Sequence, residues 1–213
     1  MPSEIPIIMK LKKQSYKELA RAQDIIVEEV LKVIDKAVLH GGTAIWRCYN
    51  GNRFSEDVDF YIPKKEKLDL IFNNLESRGF KIEKKRITQN TLYSNLRYNR
   101  ILARFEAVFK NIKGDLKEYI KADGNLITVN TLIPEKLIIE KINAYTERKK
   151  IRDLYDIFFL LRYIKDKKQI TDELKKFVDN FESPIDEQNL KILIIEGIAP
   201  SAQKMLDYIK REI

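Results

Sequence analysis

The chain has 213 residues, and its 40 Lys and Arg against 32 Asp and Glu leave a formal charge of +8, with 34% of residues charged and 44% hydrophobic. That composition suits one generous core or two small ones and excludes a disordered or collagen-like chain. A single cysteine, Cys48, forbids an internal disulfide, and a single histidine, His40, rules out zinc sites built from several Cys and His side chains. No window approaches the roughly 18 consecutive apolar residues of a membrane span. Met1 to Lys10 lacks the basic start, apolar centre and small-residue cleavage site of a signal peptide, so a cytoplasmic protein without a membrane partner is expected.

In chain order, Ser15 with Glu18 forms a capping-box pattern ahead of Leu19, Ala22, Ile26, Val30 and Val33, a stripe that predicts a helix to about Lys36. Ala37 to His40 reads as a short buried strand, broken by Gly41-Gly42-Thr43. Ala44 to Tyr49 reads as a short helix stopped by Asn50-Gly51. Val58, Phe60 and Ile62 alternate with Asp57, Asp59 and Tyr61, predicting a strand with one apolar and one acidic face. A helix over Leu68 to Leu75 closes at Gly79, and further strands are expected at Phe80 to Arg86, Thr91 to Arg97, Ile101 to Phe109 and Leu116 to Lys121. From Pro134 the pattern turns helical, with a second helix from Asp153 to about Lys165, a break at Ser183-Pro184 and a last helix from Pro200. The expectation is an α/β (α+β) unit over residues 1–130, a mixed sheet with flanking helices, followed by a helical region over 131–213.

The charge is unevenly placed. Residues 1–130 carry 24 basic against 17 acidic side chains, residues 131–213 carry 16 against 15, and Lys81 to Lys121 alone holds 11 against four. Such a concentration attracts polyanions, RNA or DNA above all, because neutralising phosphates releases counterions. A solvated sheet face, with lysines that discourage edge pairing, accounts for it equally well.

Two features carry chemistry. Asp57 and Asp59 are alternate residues of one strand, so both carboxylates face the same side, about 7 Å apart at their α-carbons, and suit a hard cation such as Mg²⁺ beside substrate phosphates. The same pattern also describes the solvent face of a strand. Gly41-Gly42-Thr43, between a strand and a short helix, lets backbone N–H groups approach a phosphate, or is simply a tight turn. It lacks the spacing and the Lys-Ser/Thr of a Walker loop, which argues against an ordinary P-loop ATPase.

Taken together, His40-Gly41-Gly42-Thr43-Ala44-Ile45-Trp46-Arg47 and Arg53-Phe54-Ser55-Glu56-Asp57-Val58-Asp59-Phe60 resemble the signature of the AbiEii/AbiGii-type (MenT-like) toxin nucleotidyltransferases, a branch of the DNA polymerase β-like superfamily. Downstream, Glu140-Lys141-Ile142-Asn143-Ala144-Tyr145, Arg148 and Arg152-Asp153-Leu154-Tyr155-Asp156 resemble the family's helical motifs in the same order. The resemblance implies transfer of a nucleoside monophosphate from an NTP, with Mg²⁺ or Mn²⁺ on Asp57 and Asp59, phosphate contacts from Gly41, Gly42 and Thr43, and Arg53 and Ser55 positioning phosphate or the acidic strand, Arg53 being equally well placed as an ion-pair partner. Lys141 and Arg148, on one helical face, would meet polyphosphate as point charge and fork, or serve as ion-pair partners of nearby acids. Asp156 is expected to be the more functional and Asp153 the more structural of the pair. A third metal carboxylate is also implied, with Glu118 as first choice and Glu106 as second.

The resemblance further implies a toxin-type or defence enzyme with a cognate antitoxin and an RNA acceptor such as a tRNA end, docked through Lys81 to Lys121. On that expectation, charge reversal at Lys84, Lys85 or Arg100 weakens acceptor binding. The rival readings are transfer to a protein or small molecule, and a non-catalytic nucleic-acid-binding relative.

Overall fold

The computed structural model describes residues 6–164 and 166–213. The expectations for Met1 to Ile5, and for a helix end at Lys165, lie outside the described residues. Two compact units emerge, one of Met1–Cys48 with Ser55–Leu132, the other of Tyr49–Phe54 with Ile133–Ile213.

The first unit runs α1 (Ile7–Lys10), α2 (Gln14–Val33), β1 (Val38–His40), α3 (Gly41–Cys48), β2 (Asp57–Ile62), α4 (Leu68–Ser77), β3 (Phe80–Ile87), β4 (Thr91–Tyr98), β5 (Ile101–Phe109), β6 (Asp115–Ile120) and β7 (Leu126–Thr131). Its strands form one mixed seven-stranded sheet in the order β3-β4-β5-β2-β1-β7-β6. The α2 stripe is buried, as are Val58, Phe60 and Ile62 of β2 and Ala103, Phe105 and Ala107 of β5. Phe105 meets Phe60 edge-on at 6.3 Å and Phe72 of α4 at 6.1 Å, so this face of the sheet forms the core with α2 and α4. The larger of these side chains, such as Phe60, Phe72 and Phe105, each contribute about 1.5–3 kcal/mol when fully buried. The period-two pattern thereby leaves Asp57, Asp59 and Tyr61 on the opposite face.

Some boundaries differ from expectation. Helix α2 begins at Gln14 with Lys13 at its N-cap and no side-chain cap. Ser15 lies in its first turn, and Gln14 Nε2 donates to Glu18 Oε1 at 3.0 Å in place of the capping box. Helix α3 starts at Gly41 itself, so the glycine turn is the first turn of the helix. Strand β7 was not expected. Its hairpin turn is built by Gly124 at φ +89 and by Asp123, whose Oδ1 accepts from Asn125 N at 3.0 Å.

The second unit holds α5 (Pro134–Arg148), α6 (Ile151–Leu160), α7 (Thr171–Asp179), α8 (Leu190–Leu193) and α9 (Ala202–Glu212). Pro134 opens α5, where a missing N–H costs nothing, and Lys149 ends it in the left-handed conformation at φ +48. Ser201, not Pro200, caps α9 by accepting from Lys204 N at 3.3 Å. Tyr145 of α5 stacks on Phe181 at 5.7 Å and meets Phe177 of α7 edge-on at 5.4 Å. The segment Tyr49–Phe54 is stitched into this unit by Phe54 N donating to Leu193 O and Ile195 N to Asn52 O, both at 2.8 Å.

Among the described residues no helix is long and apolar enough to cross a membrane.

Candidate active site

Strand register brings the acidic residues of the first unit together. Asp59 of β2 lies opposite His40 of β1 on one side and opposite Glu106 of β5 on the other, while Asp57 lies opposite Arg104. Residues opposite each other in register share a face. Asp57, Asp59 and Glu106 therefore form an acidic corner on the side of the sheet away from α2.

The glycine turn is shaped around that corner. Gly41 has φ +70, and a β-carbon there would overlap the Asp59 carboxylate, so the missing side chain lets the acid reach the start of α3. Thr43 is fully buried and its Oγ1 donates to the Asp57 carbonyl at 2.5 Å, pinning the first turn of α3 to β2. Ser55 is buried, and its carbonyl accepts from Gln23 Nε2 of α2 at 2.8 Å, which fixes the entry to β2.

Glu118 does not join this group. It sits on β6 at the edge of the sheet, opposite Thr128, three strands away from β2 and about four residues along the strands from the row of Asp59, so at about 4.8 Å per strand and 3.3 Å per residue its α-carbon is about 20 Å from that of Asp59. The register gives its place to Glu106. Sequence order favoured Glu118 because β6 leads towards the helical region, whereas neighbourhood in a sheet follows strand order.

The donor set has the chemistry a hard divalent cation takes: three carboxylates on adjacent register positions. Asp57 Oδ1 is buried without an aligned hydrogen bond and lies 2.8 Å from Arg104 Nε, a cation already held against the acidic strand. Among the described residues no group of three such side chains converges closely enough to hold an ion, so sharing one requires rotamer adjustment.

The second unit contains a chain of alternating charges. Arg53 is almost wholly buried and grips Asp156 with both arms of its fork, Nε to Oδ1 at 2.6 Å and Nη2 to Oδ2 at 2.5 Å. Lys141 Nζ lies 2.9 Å from Asp156 Oδ2 and 3.5 Å from Asp153 Oδ1. Arg148 closes the chain with two 2.8 Å bonds to Asp153. Three cations on two carboxylates leave one positive charge, and the partly exposed Arg148 is its outward end. Burial alone would raise Asp156, but Arg53 and Lys141 outweigh it and hold the carboxyl below its ordinary value. The expected contrast between Asp153 and Asp156 is not seen in this geometry, since both are fully buried and each grips an arginine.

Sequence reading missed two further arrangements. His40 stacks on Tyr61 at 4.0 Å between ring centroids, on the same face as the aspartates. Arg47 is fully buried in the first unit, donating to Ile120 O and Ala20 O and lying 3.3 Å from Asp24, whose other partners are Tyr119 and the Ala122 N–H. Burial pushes the Asp24 carboxyl up despite Arg47. An arginine directly after the apolar helical run Ala44 to Trp46 was the available signal.

The basic stretch is not one surface. Its first residues lie on β3 at one edge of the sheet, and Lys117 and Lys121 lie on or beside β6 at the other. Lys85 also differs from its neighbour Lys84. It points to the helix-covered face, 4.2 Å from the Phe72 ring centroid and 2.7 Å from Asp69, whereas Lys84 lies over Tyr93 on the other face at 5.1 Å.

A model of the nucleotidyl transferase AbiEii toxin family, a type IV toxin–antitoxin system, matches residues 31–208. No curated protein matches the chain significantly. Among solved structures, the nucleotidyltransferase toxin MenT4 of Mycobacterium tuberculosis is similar with a TM-score of 0.63 and 20% identity, covering 95% of this chain and 85% of that one. JHP933 of Helicobacter pylori is similar with a TM-score of 0.66 and 18% identity, covering 95% and 91%. At those identities the two structures speak for the fold, and the family match over most of the chain speaks for the kind of enzyme. The chain belongs to the AbiEii nucleotidyltransferase toxin family.

Proposed function

We propose that this nucleotidyltransferase moves a nucleoside monophosphate from an NTP to a hydroxyl of an RNA acceptor, such as a tRNA end, in a toxin role held in check by a cognate antitoxin. The observation that carries the reading is the register that sets Asp57, Asp59 and Glu106 side by side, with Gly41 shaped around Asp59. These three carboxylates would hold Mg²⁺ or Mn²⁺, which when bound supplies charge neutralisation to the triphosphate and the leaving pyrophosphate.

In the reaction, the acceptor oxygen forms a bond to the α-phosphorus, the bond from that phosphorus to the bridging oxygen breaks, and pyrophosphate leaves. The hydroxyl proton passes to a carboxylate, for which Glu106 is our choice. Backbone N–H groups at the start of α3 are assigned to phosphate oxygens, while the Thr43 hydroxyl and the Ser55 carbonyl brace the acidic strand. Lys141 and Arg148 are assigned to the charge on the triphosphate. Asp153 and Asp156 act as positioning residues that hold these cations and Arg53.

Incubation with each labelled NTP, Mg²⁺ and total tRNA tests the proposal. Label on RNA, lost in Asp57→Asn, is the expected result. No transfer from any of the four NTPs to RNA, protein or small-molecule acceptors by folded protein would overturn it.

A further inference from the structure

We infer that the sheet face carrying Asp57 and Asp59 also carries the acceptor track, on which a single-stranded RNA end runs outward across β5, β4 and β3. The inference rests on the transfer reading above and specifies where its acceptor lies.

Register defines two rows on that face. One runs Asp59, Glu106, Tyr93, Arg86, and the next Asp57, Arg104, Asn95, Lys84. With about 4.8 Å between strands, Tyr93 stands about 10 Å from Asp59 and the β3 cations about 15 Å from the aspartates. The charge therefore changes sign along each row, acidic at β2 and basic at β3.

That gradient fits only one orientation of a nucleic-acid strand. A reacting hydroxyl belongs at the acidic end, where a metal would be held, and the phosphates behind it belong on the cations. Lys84 and Arg86 are exposed and make no ion pair among the described residues, and Lys84 sits over the Tyr93 ring. An aromatic ring between the reactive end and a pair of exposed cations suits base stacking with phosphate neutralisation, the mode used for single strands. Strand alternation also removes one of the four β3 cations from this track. Lys85, one residue from Lys84, is turned to the other face and engaged by Asp69 and Phe72.

Lys84 and Lys85 thus provide a matched pair, with the same charge on the same strand but on opposite faces. The test is fluorescence anisotropy with a single-stranded RNA of about 12 nucleotides, within the usual site size for such surfaces. Magnesium-dependent NTP binding is followed separately by calorimetry, and thermal melting confirms folding of each variant. We expect Lys84→Glu with Arg86→Glu to weaken RNA binding by about tenfold or more, and to reduce the slope of log affinity against log salt by about 1.4, the value for two lost phosphate contacts on a single strand. Tyr93→Ala is expected to cost about fivefold to a hundredfold. Lys85→Glu should stay within about twofold of the parent, and NTP binding should be unchanged throughout.

Equal losses in Lys84→Glu/Arg86→Glu and Lys85→Glu, equally tight binding of a duplex of the same length, or no RNA binding by a parent protein that binds NTP would overturn the track and leave nucleotidyl transfer standing. A parent protein that binds RNA but neither binds nor uses NTP would overturn the transfer reading, and with it the acceptor role of this face.

Discussion

Gly41 and Asp59 lie so close that the carboxylate of Asp59 occupies the space a side chain at position 41 would need. The backbone reinforces the requirement, because φ +70 at Gly41 is left-handed and strained for any residue with a β-carbon. Gly41→Ala is therefore expected to lower stability by about 1–3 kcal/mol and to push the Asp59 carboxylate, the flexible partner, away from α3. Nucleotidyl transfer should fall much further than the stability loss explains. A urea titration beside a transfer assay at a temperature where the variant is folded checks this, and full activity would show that the Asp59 position is not needed.

Thr43 offers a cleaner separation between binding and bracing. Its hydroxyl donates to the Asp57 carbonyl from a fully buried position. Thr43→Val keeps the shape, removes the donor and leaves a carbonyl unpaired, at about 1–3 kcal/mol. We expect a stability loss in that range, with kcat falling and KM for NTP little changed. A rise in KM at unchanged stability would instead make the hydroxyl a phosphate ligand.

Much of this was legible in the amino-acid order. The alternation from Asp57 to Ile62 identified β2 and both of its faces, because a strand half buried by helices must alternate. The helical spacing of Lys141 and Arg148 placed them together for a similar reason. What the order did not show was lateral. Sequence order favoured Glu118 over Glu106, and only the arrangement β5-β2-β1-β7-β6 reverses that choice. Lys84 and Lys85 could not be assigned faces either, because the register shift between Ile82 and Lys84 resets the alternation of β3. Arg53, next to the acidic strand in sequence, groups with the helical unit and pairs with a carboxylate 103 positions away.

The Asp156 network predicts a particular acid response. Its carboxyl is held below the ordinary value of 3.8, with the lowering by Arg53 and Lys141 exceeding the opposing effect of burial. A depressed folded value contributes stability above the unfolded value, and that contribution is lost as pH falls through the lower, folded one. Asp156→Asn should cost about 3–5 kcal/mol near neutrality, because buried Arg53 loses its counterion and Lys141 loses the nearer of its two carboxylates. The gap between parent and variant should then narrow below about pH 4. Urea midpoints measured from neutral pH to about pH 3 check both statements. A gap that stays constant with pH would mean that the network's charge is not what stabilises the second unit.

The assignment of the third carboxylate makes the sharpest demand on the acidic corner. Glu106 lies directly opposite Asp59, on the face shared with Asp57, whereas Glu118 is exposed on an edge strand three positions away in the sheet. Removing a charged oxygen from a metal-holding or proton-accepting position costs about 10²-fold or more in rate, while removing one from a solvated edge costs almost nothing. Glu106→Gln is therefore expected to reduce nucleotidyl transfer by at least about a hundredfold with little change in melting temperature, and Glu118→Gln to leave it within about twofold. Raising Mg²⁺ separates two roles for Glu106. Partial rescue indicates a ligand whose loss weakens metal affinity, and a rate that stays low at saturating metal indicates a proton acceptor. If Glu118→Gln is the inactive variant and Glu106→Gln the active one, the register argument for the acidic corner fails.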